Sequence, residues 1–176
     1  MLGKSKEFRI CFLCYFSHFC AYMSLEVKKS RIPNAGKGLF AKEIFKRNDK
    51  IIEYTGEIIT WKECQKRNEA LDGVGLYYFY VSDKKCVDAQ NVPESMARYA
   101  NDAAGFVRLP GFRNNARFEV IKSKPYIIAS KTIKPGDEIY VAYGKEYWDA
   151  MRINGFDPNM KKTKKVAKKK EKLMVS

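Results

Sequence analysis

The feature that most constrains this chain is the spacing of its turn residues between positions 23 and 160, which leaves room only for short elements. Asn34-Ala35-Gly36-Lys37-Gly38 is the first such station, and its two glycines permit positive φ and close backbone approach. Leu39-Phe40-Ala41 and Ile51-Ile52-Glu53-Tyr54 are short β-type runs, and Tyr54-Thr55-Gly56-Glu57 breaks into Ile58-Ile59. Thr60, with Glu63 three residues on, forms a capping-box pattern that predicts a helix from Trp61 to about Leu71, ending before Asp72-Gly73. Tyr77-Tyr78-Phe79-Tyr80-Val81 is strongly β-prone, and Ser82-Asp83-Lys84-Lys85 turns it into Cys86-Val87-Asp88. Pro93 suits the first turn of a short helix reaching about Tyr99. Residues 102–116, containing Gly105, Pro110 and Gly111, read as one long loop, a length that compact domains tend to reserve for function. Phe118 to Ile121 and Tyr126 to Ala129 are further strands, and Lys134-Pro135-Gly136-Asp137 turns into Glu138-Ile139-Tyr140-Val141-Ala142. With no βαβ alternation and no internal repeat, the expectation is an irregular, mostly β domain with short helices.

Composition sets the outer limits. The 176 residues fit one domain with tails, and 45% hydrophobic and 14% aromatic residues are enough for a real core. No stretch approaches the 18 or so apolar residues of a membrane-spanning helix. The five Cys lack a regular spacing, which argues against a disulfide scaffold and for a reducing compartment rather than secretion. A single His disfavours His-dependent triads and His-rich metal sites.

The net charge of +14 is unevenly spread. Residues 161–172, KKTKKVAKKKEK, carry +7, and residues 1–22 carry +2, which leaves a mildly basic body of +5 over 23–160. A block of this kind cannot bury apolar surface; it reads as a flexible Lys-rich tail, 161–176, that attracts nucleic acid or another polyanion, or simply solubilises the end. At the other end, residues 10–22 are apolar and aromatic without a clear period. Cys11, Cys14, His18 and Cys20 are zinc-ligand types, but a single residue between the last two is tighter than zinc modules use, so no metal is expected. The segment 1–22 reads as an extension outside the domain, with a membrane-surface role as the alternative, and Met23-Ser24-Leu25-Glu26 as the domain start.

Taken in order, five motifs say more than any one of them. They are Ile32-Pro33-Asn34-Ala35-Gly36-Lys37-Gly38-Leu39-Phe40-Ala41; Glu53-Tyr54-Thr55-Gly56-Glu57; Ala97-Arg98-Tyr99-Ala100-Asn101; Asn115-Ala116; and Gly136-Asp137-Glu138-Ile139-Tyr140-Val141-Ala142-Tyr143-Gly144. With these motifs the chain resembles the SET-domain protein-lysine methyltransferases, from about Glu26 to Trp148, in the small form without a zinc-binding closing module. The resemblance implies a β-clip fold whose C-terminal segment threads under a loop as a pseudoknot. It also implies S-adenosyl-L-methionine as methyl donor, and a lysine side chain of a histone or other basic protein as acceptor, entering by a channel from the opposite face. The Lys-rich tail is itself a candidate acceptor.

The resemblance also implies roles for single residues. Gly36, Lys37 and Gly38 match the loop that meets the cofactor. Asn101 matches the asparagine that contacts it, with Arg98 and Tyr99 leading in and Asp102 following. Tyr143 matches the tyrosine whose hydroxyl sits near the transferring methyl, and Trp148 is placed to close the cofactor or channel wall. Tyr54, Tyr78, Phe118 and Tyr143 are the expected channel residues; among Tyr77, Tyr78 and Tyr80, strand periodicity allows only one face to take part. The chemistry agrees, because methyl transfer to an amine needs position and electrostatics rather than a metal, and an aromatic channel lowers the acceptor's pKa.

Two departures stand out. The family usually reads Asn-His where this chain has Asn101-Asp102, and Ala103-Ala104 follow in place of Ser-Cys. This implies weakened adenine-side binding and supports an alternative reading, a catalytically weak module that associates with nucleic acid or chromatin through the basic tail. Phe118, in a position where a tyrosine would restrict the channel, implies di- or trimethylation. The expected location is nuclear in a eukaryotic or viral setting and cytoplasmic in a bacterial one.

Overall fold

The computed structural model describes residues 23–70, 77–105 and 109–153. The expectations for the N-terminal extension, its cysteine and histidine cluster, and the Lys-rich tail lie outside the described residues.

Strand β1 (Leu25–Lys29) pairs antiparallel with β2 (Lys37–Ala41), from Leu25 opposite Ala41 to Lys29 opposite Lys37. The reversal between them uses Asn34 and Gly36, with φ of 63° and 72°, a conformation that costs little for Asn and nothing for Gly. The chain continues through β3 (Lys50–Glu53), β4 (Glu57–Ile59), helix α1 (Trp61–Ala70), β5 (Tyr78–Ser82) and β6 (Lys85–Asp88). A 3₁₀ turn at Met96–Tyr99, strands β7 (Ala116–Ile121) and β8 (Lys124–Ala129), and helix α2 (Lys145–Ile153) complete the order. Besides the β1–β2 pair there are two three-stranded antiparallel sheets, β3-β8-β7 and β4-β6-β5. The fold is mostly β with two short α-helices among the described residues, as the turn spacing predicts.

The capping box is half realised. Thr60 Oγ1 accepts from the Glu63 amide at 3.2 Å, but the Glu63 carboxylate turns to Arg67 at 3.1 Å instead of back to the cap. The helix expected from Pro93 is shorter: residues 93–94 form a turn and helical geometry begins only at Met96. The Ser95 hydroxyl, which would have capped it, makes no cap bond and accepts from Thr55 at 3.2 Å.

The run 138–142 does not build a strand in one sheet. It forms isolated bridges to three places: Glu138 to Phe40, Tyr140 to Asn101 in parallel, and Val141 to Ala116 in parallel. It lies between β2 on one side and the Asn101 and Asn115 segments on the other. Ile139 N donates to Leu39 O at 2.8 Å, Val141 N to Asn101 O at 2.9 Å, and Ala116 N to Tyr140 O at 2.9 Å. Around this segment sits the main core, including Leu39, Ala41, Ile51, Ile127, Ile133, Ile139 and Val141. A smaller cluster of Ile59, Cys64 and Cys86, covered by Trp61 and Tyr78, seats α1 on the β4-β6-β5 sheet.

Candidate active site

Two glycines of the expected motifs are fixed by close approach. A Cβ on Gly38 would fall 2.2 Å from Glu138 Oε1, and one on Gly56 would fall 2.4 Å from the Asp88 carbonyl oxygen. Gly38 therefore makes room for a carboxylate from the far end of the domain. Glu138 is 1% exposed, a rare place for a charge. Its Oε1 accepts from Ser30 Oγ at 2.6 Å and Asn101 Nδ2 at 3.2 Å, and its Oε2 from the Arg31 amide at 2.7 Å and the Tyr140 hydroxyl at 2.8 Å. Asn101 Nδ2 also donates to the Lys37 carbonyl at 2.9 Å. The expected cofactor loop, Gly36 to Gly38, is thus tied to Asn101 and Glu138 in one polar lattice. Sequence reasoning gave Glu138 no role, because its partners Ser30 and Arg31 lie 108 and 107 residues away.

Asp102 is a second buried carboxylate, 7% exposed. Its Oδ1 accepts from the Ala104 amide at 2.8 Å and Asn114 Nδ2 at 2.9 Å; its Oδ2 accepts from the Tyr143 amide and the Trp148 indole, both at 2.9 Å. Among the described residues neither Asp102 nor Glu138 forms an ion pair. Each is instead satisfied by four neutral donors, which keeps a buried carboxylate tolerable.

Tyr143 also lines a cavity of about 810 Å³. All four expected channel residues, Tyr54, Tyr78, Phe118 and Tyr143, line it. Arg98 lines it as well, although its motif position implied the cofactor side. Its guanidinium lies 3.7 Å from the Tyr77 ring centroid and donates to the Ala89 carbonyl at 2.6 Å. Tyr99 is not among the lining residues; its ring lies 5.5 Å from Lys37 Nζ and 5.4 Å from the Arg98 guanidinium. Tyr78 and Tyr80, which share one strand face, both line the cavity, and Phe79 from the opposite face lines it as well. β5 is an edge strand of its sheet, so the cavity wraps around it and meets both faces.

Tyr54, Phe79 and Phe118 form a three-ring cluster with centroids 5.7, 6.1 and 5.0 Å apart. Helix α2 closes the cavity with Tyr147 and Met151, four residues apart on one helix face. Phe79, Tyr147 and Met151 were missed by sequence reasoning; the four-residue spacing was the available signal for the last two. Trp148 stacks on Tyr143 at 5.8 Å and 17°. The Tyr143 hydroxyl donates to the Ala100 carbonyl at 2.9 Å. Burial pushes the pKa of both Tyr143 and Tyr54 well above the ordinary phenol value, so both stay neutral across the physiological range.

The SET-domain family model matches residues 36–144. The chain belongs to the SET-domain family. It is 32% identical over 118 residues to the histone-lysine N-methyltransferase Set8 of Drosophila melanogaster, covering 62% of this chain and 16% of that protein. It is 30% identical over 122 residues to the N-lysine methyltransferase KMT5A-A of Danio rerio, covering 64% of this chain and 33% of that protein. To the histone-lysine N-methyltransferase ASHH1 of Arabidopsis thaliana it is 26% identical over 136 residues, 76% of this chain and 26% of that protein. The aligned region spans no more than a third of the length of these relatives. The family boundary at Gly36 and Gly144 takes in Gly38, Asn101, Glu138 and the strand side of the cavity, and leaves β1, α2 and the Ser30 and Arg31 donors of the lattice outside.

Proposed function

We propose that this chain is an S-adenosyl-L-methionine-dependent protein-lysine methyltransferase acting on a histone or another basic protein. The observation that carries the reading is Tyr143. This one residue is bonded through its amide to Asp102, the neighbour of Asn101, and also lines the cavity that Tyr54, Phe79 and Phe118 line.

The residues present fit such a cofactor. A Cβ on Gly36 would meet nothing within 4 Å, so the backbone there borders open space. Beside it stand the Lys37 ammonium, the Asn101 amide and the Tyr99 ring, a set suited to a ligand carrying a carboxylate, an ammonium and a sulfonium. Gly36, Lys37, Gly38, Tyr99, Asn101, the Asp102 backbone and Tyr143 would hold it, and when bound it supplies an electrophilic methyl group; Trp148, stacked on Tyr143 and carried by α2, is assigned to the channel wall. Arg98 is assigned to the acceptor side in view of its place on the cavity.

The acceptor amine must arrive deprotonated. Tyr54, Phe79, Phe118 and Tyr143 withhold water from an ammonium and so lower its pKa. The Tyr143 hydroxyl commits its proton to Ala100, which leaves its oxygen lone pairs to orient the amine. As a neutral phenol it positions the amine and does not act as a phenolate base. The same aromatic faces accommodate the methylated, cationic product. The parallel bridges from Asn101 to Tyr140 and from Ala116 to Val141 support the expected pseudoknot. Residues 161–172 would add salt-sensitive attraction to nucleic acid, and a histone substrate would place the protein in the nucleus.

The test is calorimetric titration with S-adenosylmethionine, followed by mass spectrometry of a histone mixture after incubation with both. Saturable binding weakened by Asn101→Ala, with lysine methylation lost in Tyr143→Phe, is expected. No binding at millimolar cofactor would overturn the reading in favour of a non-catalytic module that binds polyanions through the tail.

A further inference from the structure

Asp102 has a part to play that neither the motif order nor the relatives assign. Its four acceptor contacts come from separate stretches of chain: Ala104 and Asn114 on the long loop, Tyr143 41 residues on, and Trp148 46 residues on. The first pair fixes one oxygen to the loop, which aims the other at the start of α2. Within α2, Asp149 pairs with Lys145 at 2.8 Å and with Arg152 at 3.0 Å, and the Trp148 indole reaches across to Asp102 in the body. Tyr147 meets both Tyr143 and Trp148 edge-on at 4.8 and 5.0 Å. Fixing Trp148 therefore fixes the ring through which α2 walls the cavity.

Only a carboxylate meets this demand. It is acceptor-only, with room for about four donors. A neutral imidazole, from the histidine usual at this position, accepts at one nitrogen, and an imidazolium at none. The amide of Asn would turn an NH₂ group against two of the four donors.

We propose that Asp102 is a positioning residue that latches α2 over the acceptor cavity by holding Trp148 to the Tyr143 backbone. The inference rests on the methyltransferase reading for what the cavity accepts, and on the geometry alone for the latch. Asp102 then shapes the acceptor side, and its side chain is not a defect of the cofactor side.

The latch is read without turnover by fluorescence. The chain has two Trp, Trp61 and Trp148, so Trp61→Phe leaves Trp148 as sole reporter. In the full chain carrying Trp61→Phe, Asp102→Asn is expected to red-shift Trp148 emission and raise its acrylamide quenching about twofold while the domain still unfolds cooperatively. Unchanged emission and quenching would overturn the latch. In the otherwise wild-type chain, Asp102→Asn and Asp102→His are expected to weaken binding of a lysine peptide about tenfold, with cofactor affinity changed less than about threefold. Trp148→Phe should weaken the peptide similarly, and Asp102→Asn/Trp148→Phe should be no worse than the poorer single variant. Tighter cofactor binding by Asp102→His with unchanged peptide binding would overturn the proposal and make Asp102 a cofactor-side defect. Equal losses for both ligands, or additive losses in the double variant, would reduce Asp102 to a general structural role. If wild type binds neither ligand, the methyltransferase reading fails, and the Trp148 signal still decides the latch.

Discussion

The two sides of Tyr143 are built from different materials. On the Asn101 side, Gly38, Ser30, Glu138 and Tyr140 are locked by hydrogen bonds of 2.6 to 3.2 Å, and a single added carbon at Gly38 would collide with a carboxylate. On the cavity side, Tyr54, Phe79 and Phe118 meet through ring contacts of 5.0 to 6.1 Å. Hydrogen-bonded lattices around buried charge have few acceptable geometries, whereas aromatic packing admits neighbours of similar size at small cost. A fixed donor side paired with an adaptable acceptor side suits an enzyme whose cofactor is constant and whose substrates differ.

The contrast breaks first, if it breaks, at Gly38→Ala. The displaced Glu138 carboxylate should lower stability by about 3 kcal/mol in urea unfolding and abolish cofactor binding by calorimetry. Near-wild-type stability would mean that the lattice yields as readily as the cavity. Tyr143→Phe, at the junction, should reduce methylation on the order of a hundredfold. Its stability cost should be only about 1 kcal/mol, for the lost bond to Ala100. A variant with full activity would remove Tyr143 from the chemistry.

A pH experiment sharpens the same comparison. Tyr54 is 6% exposed, and burial raises its pKa above the unfolded value near 10. The unfolded chain therefore loses this proton first, so stability is intact below about pH 10 and falls by about 1.4 kcal/mol per pH unit above it. Tyr140 behaves likewise, raised by burial and by its bond to Glu138. Chemical denaturation between pH 9 and 11 should show a smaller loss for Tyr54→Phe; equal slopes would contradict the assignment. Phe118→Tyr should have the smallest effect. Its rate is expected to stay within about threefold, while mass spectra shift from di- and trimethylated toward monomethylated product. Monomethyl product alone from wild type, under exhaustive turnover, would argue against the role of Phe118.

What could be read from the sequence follows from the range of each constraint. Turns and strand runs are local demands, and the stations at Gly36, Gly56 and Gly136 gave the order of the β elements. The role of Gly38 was half legible, because its glycine could be tied to a loop but the Glu138 carboxylate that requires it comes from the other end of the domain. β1 was not foreseen because LEVKK has little strand character of its own and is ordered by pairing with β2. Asp102 read as a departure from a family pattern, since its meaning depends on an indole 46 residues away. Phe79 was passed over because only the tyrosines of its run were weighed for the channel, and the rings it meets, Tyr54 and Phe118, lie 25 and 39 residues away.

The Glu138 lattice also dictates an order of assembly. Ser30 and Arg31 leave the ribosome more than a hundred residues before the carboxylate that accepts their protons. Contacts of such sequence separation form late, because the intervening chain must first be closed into a loop. The β1–β2 hairpin can pair early, yet the Gly38 position stays unfilled until residue 138 arrives. Any nascent or truncated product that stops before it therefore lacks the donor side, and with it both the Tyr143 junction and the α2 wall. The buried Glu138 carboxylate therefore gains its Ser30 and Arg31 donors late, and chains that stop short of it leave those donors without their acceptor.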